Sequence, residues 1–345
     1  LAFSSKAATK QTIAACFRYS GAAALRKKLS GGNCVILSYG RVTQSHPFEC
    51  GVYTPKTGIS LGTFENHIKH MAKSCKILSL AEIIRRYVAS EPYPKRSVAI
   101  TLDHAWSDNF EFALPILKKY KVQATLFIAA QLVGKDGTFW TERAAHAAIQ
   151  IKKRRNSLVQ AFPEESMPPE AKFIISLLLS DPRAAIYAEL VISNLLNLPP
   201  ERLQVVLHFF EELAEEPWQG NRSWATWQEV REMVSSGHID IGSLGDSDFN
   251  LNALDQDMLD AEIELPRSAI QKEIGMLPEM FAYPNGFFDE NIIRKVSKAG
   301  YSGAFTLLPG FADFSSNTWT MPRVRIYQGL SDSISELECL LSGFF

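Results

Sequence analysis

The chain is 345 residues long, 46% hydrophobic and 21% charged, which is enough apolar material to bury a large core and excludes a disordered or fibrous polymer. A net charge of −1 gives no overall attraction to nucleic acid, and no run of about 20 apolar residues is present to span a bilayer. Five scattered cysteines without Cys-x-x-Cys spacing argue against a disulfide framework or a zinc knuckle, and make the cytoplasm the expected compartment.

Charge is uneven along the chain: residues 1–48 carry seven Lys or Arg and no Asp or Glu. There Ile13, Ala14, Phe17, Ala22, Ala24 and Leu25 interleave with the bases, so residues 1–30 read as a basic helical arm. Such an arm is either packed and solvated or lies peripherally on an anionic membrane face or an acidic partner. After Gly31-Gly32, the β-branched run Asn33 to Ser38 predicts the first buried strand. Thr63 to Lys73 and Leu80 to Tyr87 have helical spacing, the second opened by Ser79 with Glu82 as capping-box partner. Ser97 to Leu102 is another continuous apolar run. It ends in the polar group Asp103, His104, Asp108 and Asn109, at the carboxyl end where parallel α/β folds place chemistry.

The helix Ala113 to Lys119 and the strand Ala124 to Ala129 establish a βαβ rhythm. Residues of about 141–222 break it with helical patterns only, Ala144 to Arg155, Glu170 to Leu179, Arg183 to Leu196 and Glu201 to Glu215, separated by prolines. They read as a helical insertion that caps or walls a barrel mouth. The alternation then resumes: helix Trp227 to Ser235, strand Ile239 to Ser243, helix Asp255 to Glu273, strand Met280 to Tyr283 and helix Asp289 to Ala299. A last strand pair, Gly303 to Leu307 and Arg323 to Tyr327, closes the series. Strands on both sides of the insertion imply one interrupted barrel over 31–345 rather than two domains.

Four segments at strand ends carry a resemblance. Ser38-Tyr39-Gly40-Arg41-Val42 is similar to Tyr-His-Arg-Val, and Ala99 to Asp108 to a Thr-Phe-Asp-Asp-Gly-Tyr segment. Gly237 to Asn250 is similar to Gly-His-x-Ile-Gly-Ser-His-x-x-x-His, and Phe281 to Gly286 to Phe-Ala-Tyr-Pro-Tyr-Gly. In this order they resemble the polysaccharide deacetylases, the NodB-homology or carbohydrate esterase 4 family. Thr226 to Val230 and Met321 to Val324 are further echoes. The fold this implies is α/β, a distorted (β/α)7-8 barrel of the NodB-homology type with a mostly helical insertion.

The resemblance implies a divalent ion, usually zinc, held by one Asp and two His, with a second Asp as base and a late His as acid. Asp103 stands at the base position. The ligand Asp is replaced by His104, the first ligand His by Leu244 and the second by Asp248, so His104 and Asp248 are residual metal positions. The opening His is Gly40, the oxyanion-side Tyr is Asn285, and no histidine follows His238 to act as acid. Trp106, Tyr283, Asn285 and Trp224 are the expected substrate-binding residues, with Trp140 and Phe249 as further aromatic candidates.

Three functions follow from these residues. The favoured one is a catalytically degenerate carbohydrate-binding or partner subunit of surface-polysaccharide metabolism, with no cofactor and no nucleic acid. It would act on an acetylated polysaccharide beside an active paralogue or a membrane surface reached through the arm. The alternative is an active metal-dependent deacetylase with a rebuilt zinc site on His104, Asp248 and Asp246 or Asp103. The third is a metal-free carboxylate pair drawn from Asp103, Asp246 and Asp248. His67, His70 and His146 fall on helices and are expected to be structural, His208 to belong to the insertion core, and His238 to order a turn.

Overall fold

A computed structural model describes residues 32–47, 56–153, 167–180, 187–215, 222–314 and 316–345. The arm at 1–30 and the bases Arg154 and Arg155 lie outside these residues. Eight strands form one parallel sheet because their runs are apolar on both faces, the signature of strands buried between a barrel interior and an outer helical layer. All residues of β1 (Cys34–Tyr39), β5 (Ser97–Asp103) and β6 (Ala124–Ile128) are buried.

Two short parallel strands, β2 (Arg41–Thr43) and β3 (Gly58–Ser60), form a separate ribbon at the end of β1, and β4 (Lys76–Ile77) pairs with the start of β5. The main sheet continues through β7 (Ile239–Ser243), β8 (Met280–Ala282), β9 (Gly303–Phe305) and β10 (Val324–Ile326), in the order β10-β1-β5-β6-β7-β8-β9. The sheet curls into a distorted, incompletely closed barrel. The last two strands fall where the sequence put them, β9 and β10 standing at opposite ends of the sheet order and not pairing as strands with each other. The seam is bridged by Met321, which exchanges backbone hydrogen bonds with Ala304 and Thr306 at 2.9 Å, and by the Arg323 side chain, whose Nε donates to the Thr306 carbonyl at 3.1 Å.

The period of two sorts the strands into two faces. Ile36, Ala99, Phe127, Ala129, Ala282, Phe305 and Met321 form the barrel interior. Val35, Leu37, Val98, Ile100 and Leu126 face the helices α1 (Leu61–Ser74) and α3 (Leu114–Tyr120), whereas Leu80, Ile83 and Ile84 of α2 (Leu80–Val88) join the interior group. Gly242 is required in β7, because a Cβ there would meet the Phe127 ring at 2.5 Å. Ser79 caps α2 by accepting from the Glu82 N–H, but the Glu82 carboxylate turns to Arg85 and Arg86 instead of completing the expected box.

Between β6 and β7, in the segment read from the sequence as an insertion, lie α4 (Trp140–Lys153), α5 (Pro169–Ser180), α6 (Tyr187–Leu195) and α7 (Pro200–Ala214). Ala148, Ile174, Val191, Leu207 and Phe210 build an apolar cluster of their own, which continues into Trp106 and Trp224 at the barrel mouth. The outer layer is completed by α8 (Trp227–Ser235), α9 (Gln256–Ile274), α10 (Glu290–Lys298) and a C-terminal α11 (Ile334–Leu341). Among the described residues no helix is long and apolar enough to cross a membrane.

Candidate functional site

At the carboxyl ends of β1, β5, β8 and β10 the strands open into a cavity of about 250 Å³. The barrel supplies Ser38, Asp103, His104, Trp106, Asp248, Asn285 and Arg325 to it. The insertion walls it: α4 brings Thr141 and Glu142, while Glu189, Ile192, Ser193 and Leu196 come from α6 and the turn after it. Four of the nine non-glycine residues with positive φ among the described residues, Lys56, His104, Asp248 and Asn285, line this cavity. Such backbone conformations are costly and persist where tertiary contacts enforce them, commonly at functional sites.

Asp103 ends β5 and is 5% exposed. Its Oδ2 accepts from the Ser38 hydroxyl at 2.8 Å and its Oδ1 from Arg323 Nη1 at 2.7 Å. Burial alone would raise its pKa, but the Arg323 guanidinium, aided by His104 and Ser38, holds it below the usual carboxylate range. Arg323 is fully buried, also donates to Thr101 Oγ1 at 3.0 Å and stacks over Phe127. Sequence reasoning quoted Arg323 without assigning it a role.

His104 Nε2 and Asp248 Oδ2 approach to 2.9 Å, in an orientation too poor for a hydrogen bond. Both His104 ring nitrogens and Asp248 Oδ1 are therefore buried without a hydrogen-bond partner. Leu244, at the third ligand position, does not line the cavity. It is 1% exposed and packed in the barrel interior with Phe127, Ala129 and Ala282, its N–H bonded to the Ile128 carbonyl. Asp246 lies outside the cavity lining as well, and burial raises its pKa.

The loop carrying Asp248 is held by Glu262, a residue that sequence reasoning missed. Its Oε1 accepts from the N–H groups of Asp246, Ser247 and Asp248 at 2.9, 2.7 and 3.2 Å, and its Oε2 pairs with the Ser247 hydroxyl at 2.8 Å. Burial pushes its pKa up to about 7 against those donors. The signal was present: Glu262 shares the buried face of α9 with Leu259, Ile263 and Pro266.

A second unforeseen group surrounds Arg41. Its Nε donates to Asp108 at 2.6 Å, its Nη1 to Glu142, and its guanidinium lies 4.8 Å from the Trp106 ring centre. Burial raises the pKa of both carboxylates despite Arg41. Trp106 stacks on Trp224 at 4.4 Å, which buries Trp224 behind it. Trp224 therefore lies off this cavity, together with Trp140 and Phe249, on a smaller one of about 200 Å³. Tyr283 is fully buried on the helix side of β8, its hydroxyl donating to the Trp319 carbonyl at 2.8 Å. Of the four expected sugar contacts, Trp106 and Asn285 line the cavity, and Phe139 and Phe287 join them. His67 bonds Tyr39 inside α1 packing, and His238 Nδ1 lies 3.0 Å from the Val122 carbonyl in a turn. His208 is exposed on α7, outside the insertion core in which it was expected.

The sequence matches the family described as polysaccharide deacetylase over residues 90–160 and 199–304, more than half of the chain. The chain belongs to the polysaccharide deacetylase family. Poly-beta-1,6-N-acetyl-D-glucosamine N-deacetylase of Staphylococcus aureus is 32% identical over 117 residues, which cover 32% of this chain and 40% of that protein. This polysaccharide deacetylase homologue thus spans about two fifths of the curated relatives it matches. Among solved structures it is similar to the Streptococcus pyogenes deacetylase PplD in complex with acetate, with TM-score 0.57, 15% identity, and coverage of 88% of this chain and 96% of that one. It is similar too to IcaB from Ammonifex degensii, with TM-score 0.56, 16% identity, and coverage of 90% and 98%. At those identities the likeness shows the shared fold.

The side chains present at the metal position of the polysaccharide deacetylases make an incomplete donor set. Among the described residues no group of three or more His, Cys, Asp or Glu is placed to hold a metal ion. His104 and Asp248 offer two donors, Leu244 offers none, and Asp103 is engaged by Arg323 and Ser38. A catalytic zinc takes three protein ligands, so this donor set does not fit one. Nor does Gly40 leave room for the family's histidine, since a Cβ there would collide with the Thr57 carbonyl, which accepts from the Arg41 N–H.

Proposed function

We propose that this polysaccharide deacetylase homologue binds an N-acetylated amino-sugar stretch of a surface polysaccharide without removing its acetyl groups, as a carbohydrate-binding or partner subunit. The observation that carries the reading is a cavity kept open at the strand ends while its third metal-ligand position is packed into the barrel interior as Leu244. Phe287, 39% exposed, with Trp106 and Phe139, presents aromatic surface for sugar rings, and Ser38, Thr57, Thr141, Ser193 and Asn285 offer hydrogen-bonding groups around it. The acetylated glucosamine polymer in the name of the Staphylococcus aureus relative supplies the ligand class. Of the same reading are a reducing, cytoplasmic compartment, suggested by the unpaired thiols Cys34, Cys75 and Cys339, and a basic arm that meets a membrane face or an active paralogue.

Calorimetric titration with β-1,6-linked N-acetylglucosamine oligomers tests this function. Saturable binding that Phe287→Ala weakens, with no acetate released, is the expected result. The second reading, an active deacetylase, is favoured by the orphaned His104 nitrogens and Asp248 Oδ1. Stoichiometric zinc by elemental analysis, together with acetate release that Asp103→Asn abolishes, would establish it and overturn the first.

A further inference from the structure

The charged side chains around the cavity pair off, with one exception. Arg41 is matched by Asp108 and Glu142, Lys56 by Glu189, Asp103 by Arg323, and Asp248 by the His104 ring. The Arg325 side chain lines the same cavity and forms no ion pair or hydrogen bond among the described residues. It stands in register with Ser38 of β1, two residues beyond Arg323, so the alternation of β10 turns both arginines to the barrel lumen. Arg323 lies deeper and is consumed by Asp103, whereas Arg325 reaches the cavity.

We infer that Arg325 is the binding site for a carboxylate on the bound glycan, so that the ligand of this cavity carries an acidic, uronate-type sugar. The inference rests on the carbohydrate-binding reading above and narrows its ligand class. Burial, with the like charge of Arg323, opposes the charge on Arg325 and is only partly offset by the fields of Asp103 and Asp248. A guanidinium does not give up its proton in a protein, so the charge remains and calls for a counter-ion. The nearby carboxylates do not repel an incoming anion with their full charge, because each already has a cationic or imidazole partner. The planar fork of Arg325 matches a carboxylate through two parallel N–H···O bonds. Elsewhere on the wall Asn285 Nδ2 donates to the Asp248 carbonyl at 3.5 Å and the Ser193 hydroxyl to the Leu190 carbonyl at 3.0 Å, which leaves their oxygens as acceptors for hydroxyl groups of adjoining sugars.

The test is a binding panel on the whole chain: uronate-containing oligosaccharides, each beside its methyl ester, with neutral N-acetylglucosamine oligomers and phosphorylated sugars. The uronate form should bind roughly ten- to a hundredfold tighter than its ester, the worth of a charge-assisted hydrogen-bonded pair. Arg325→Gln should abolish that preference and Arg325→Lys restore part of it. Retained binding of the neutral oligomer by both variants, with unchanged melting, shows that they are folded. Equal affinity for acid and ester, a preference that survives Arg325→Gln, or tighter binding of the phosphorylated sugars overturns the inference while leaving carbohydrate binding intact. Loss of neutral-oligomer binding in Arg325→Gln but not in a Phe287 variant reassigns Arg325 to the acetamido carbonyl and overturns it as well. Absence of any glycan binding overturns both readings together.

Discussion

Arg323→Met removes the cation from a fully enclosed pair and keeps most of the side chain's volume. The guanidinium is lost from the Asp103 carboxylate at 2.7 Å, from Thr101 Oγ1 at 3.0 Å and from the Thr306 carbonyl at 3.1 Å, the last of which bridges the open seam of the barrel. Asp103 would retain only Ser38 as a partner while 5% exposed. Breaking a buried pair from one side costs about 3–5 kcal/mol, because a charge is left without compensation. The pH dependence fixes the sign. In the native chain the Asp103 pKa is depressed, so its contribution is present above the unfolded pKa and is lost as pH falls through the folded one. In the variant, burial is opposed only by Ser38 and His104 and the pKa moves up from its native position, so the penalty is full at neutral pH and is relieved as acidification protonates the group. Equilibrium urea unfolding at pH 7 and near pH 4.5 reads both. Adding Asp103→Asn to Arg323→Met should recover part of the loss at pH 7. A loss below about 1 kcal/mol, the worth of a surface ion pair, or one equal at the two pH values, would refute the reasoning.

Three more outcomes concern Glu262 and Leu244. Glu262→Gln should keep the loop at 246–248 in place, since an amide oxygen still accepts, whereas Glu262→Leu leaves three N–H groups unmatched and should cost more than about 2 kcal/mol. Because the Glu262 pKa is raised to about 7, stability should fall as pH rises from its unfolded value near 4.5 through 7, and melting curves of Glu262→Gln should show a shallower slope in that window. Leu244→His places an imidazole among Phe127, Ala129 and Ala282 and should lower stability by about 1–3 kcal/mol without creating a stoichiometric zinc site, checked by calorimetry and elemental analysis.

The strands were legible because continuous apolar runs such as Ser97 to Leu102 have few other uses, and the polar break at Asp103-His104 marked the cavity end. The insertion's helices were legible from period and proline, and α6 does wall the cavity, but no local pattern tells which of its residues face inward. Partners distant in the chain were not legible: Arg323 meets Asp103 across 220 positions. The strands β2, β3 and β4 are two or three residues long and carry too little pattern to be read. Tyr283 and Trp224 were expected at the cavity from their nearness to motifs. Alternation along β8 gives the lumen to Ala282 and turns Tyr283 outward, while stacking on Trp106 sets Trp224 behind.

Trp106 is at once part of the cavity wall and a member of the apolar cluster on which the insertion helices stand. Evolution therefore has little freedom to retune recognition at that position, since trimming the indole would loosen a whole helical layer for the sake of one contact. Divergence in what related chains accept should accumulate instead at rim positions such as Phe287 and Ser193, whose replacement disturbs nothing beneath them.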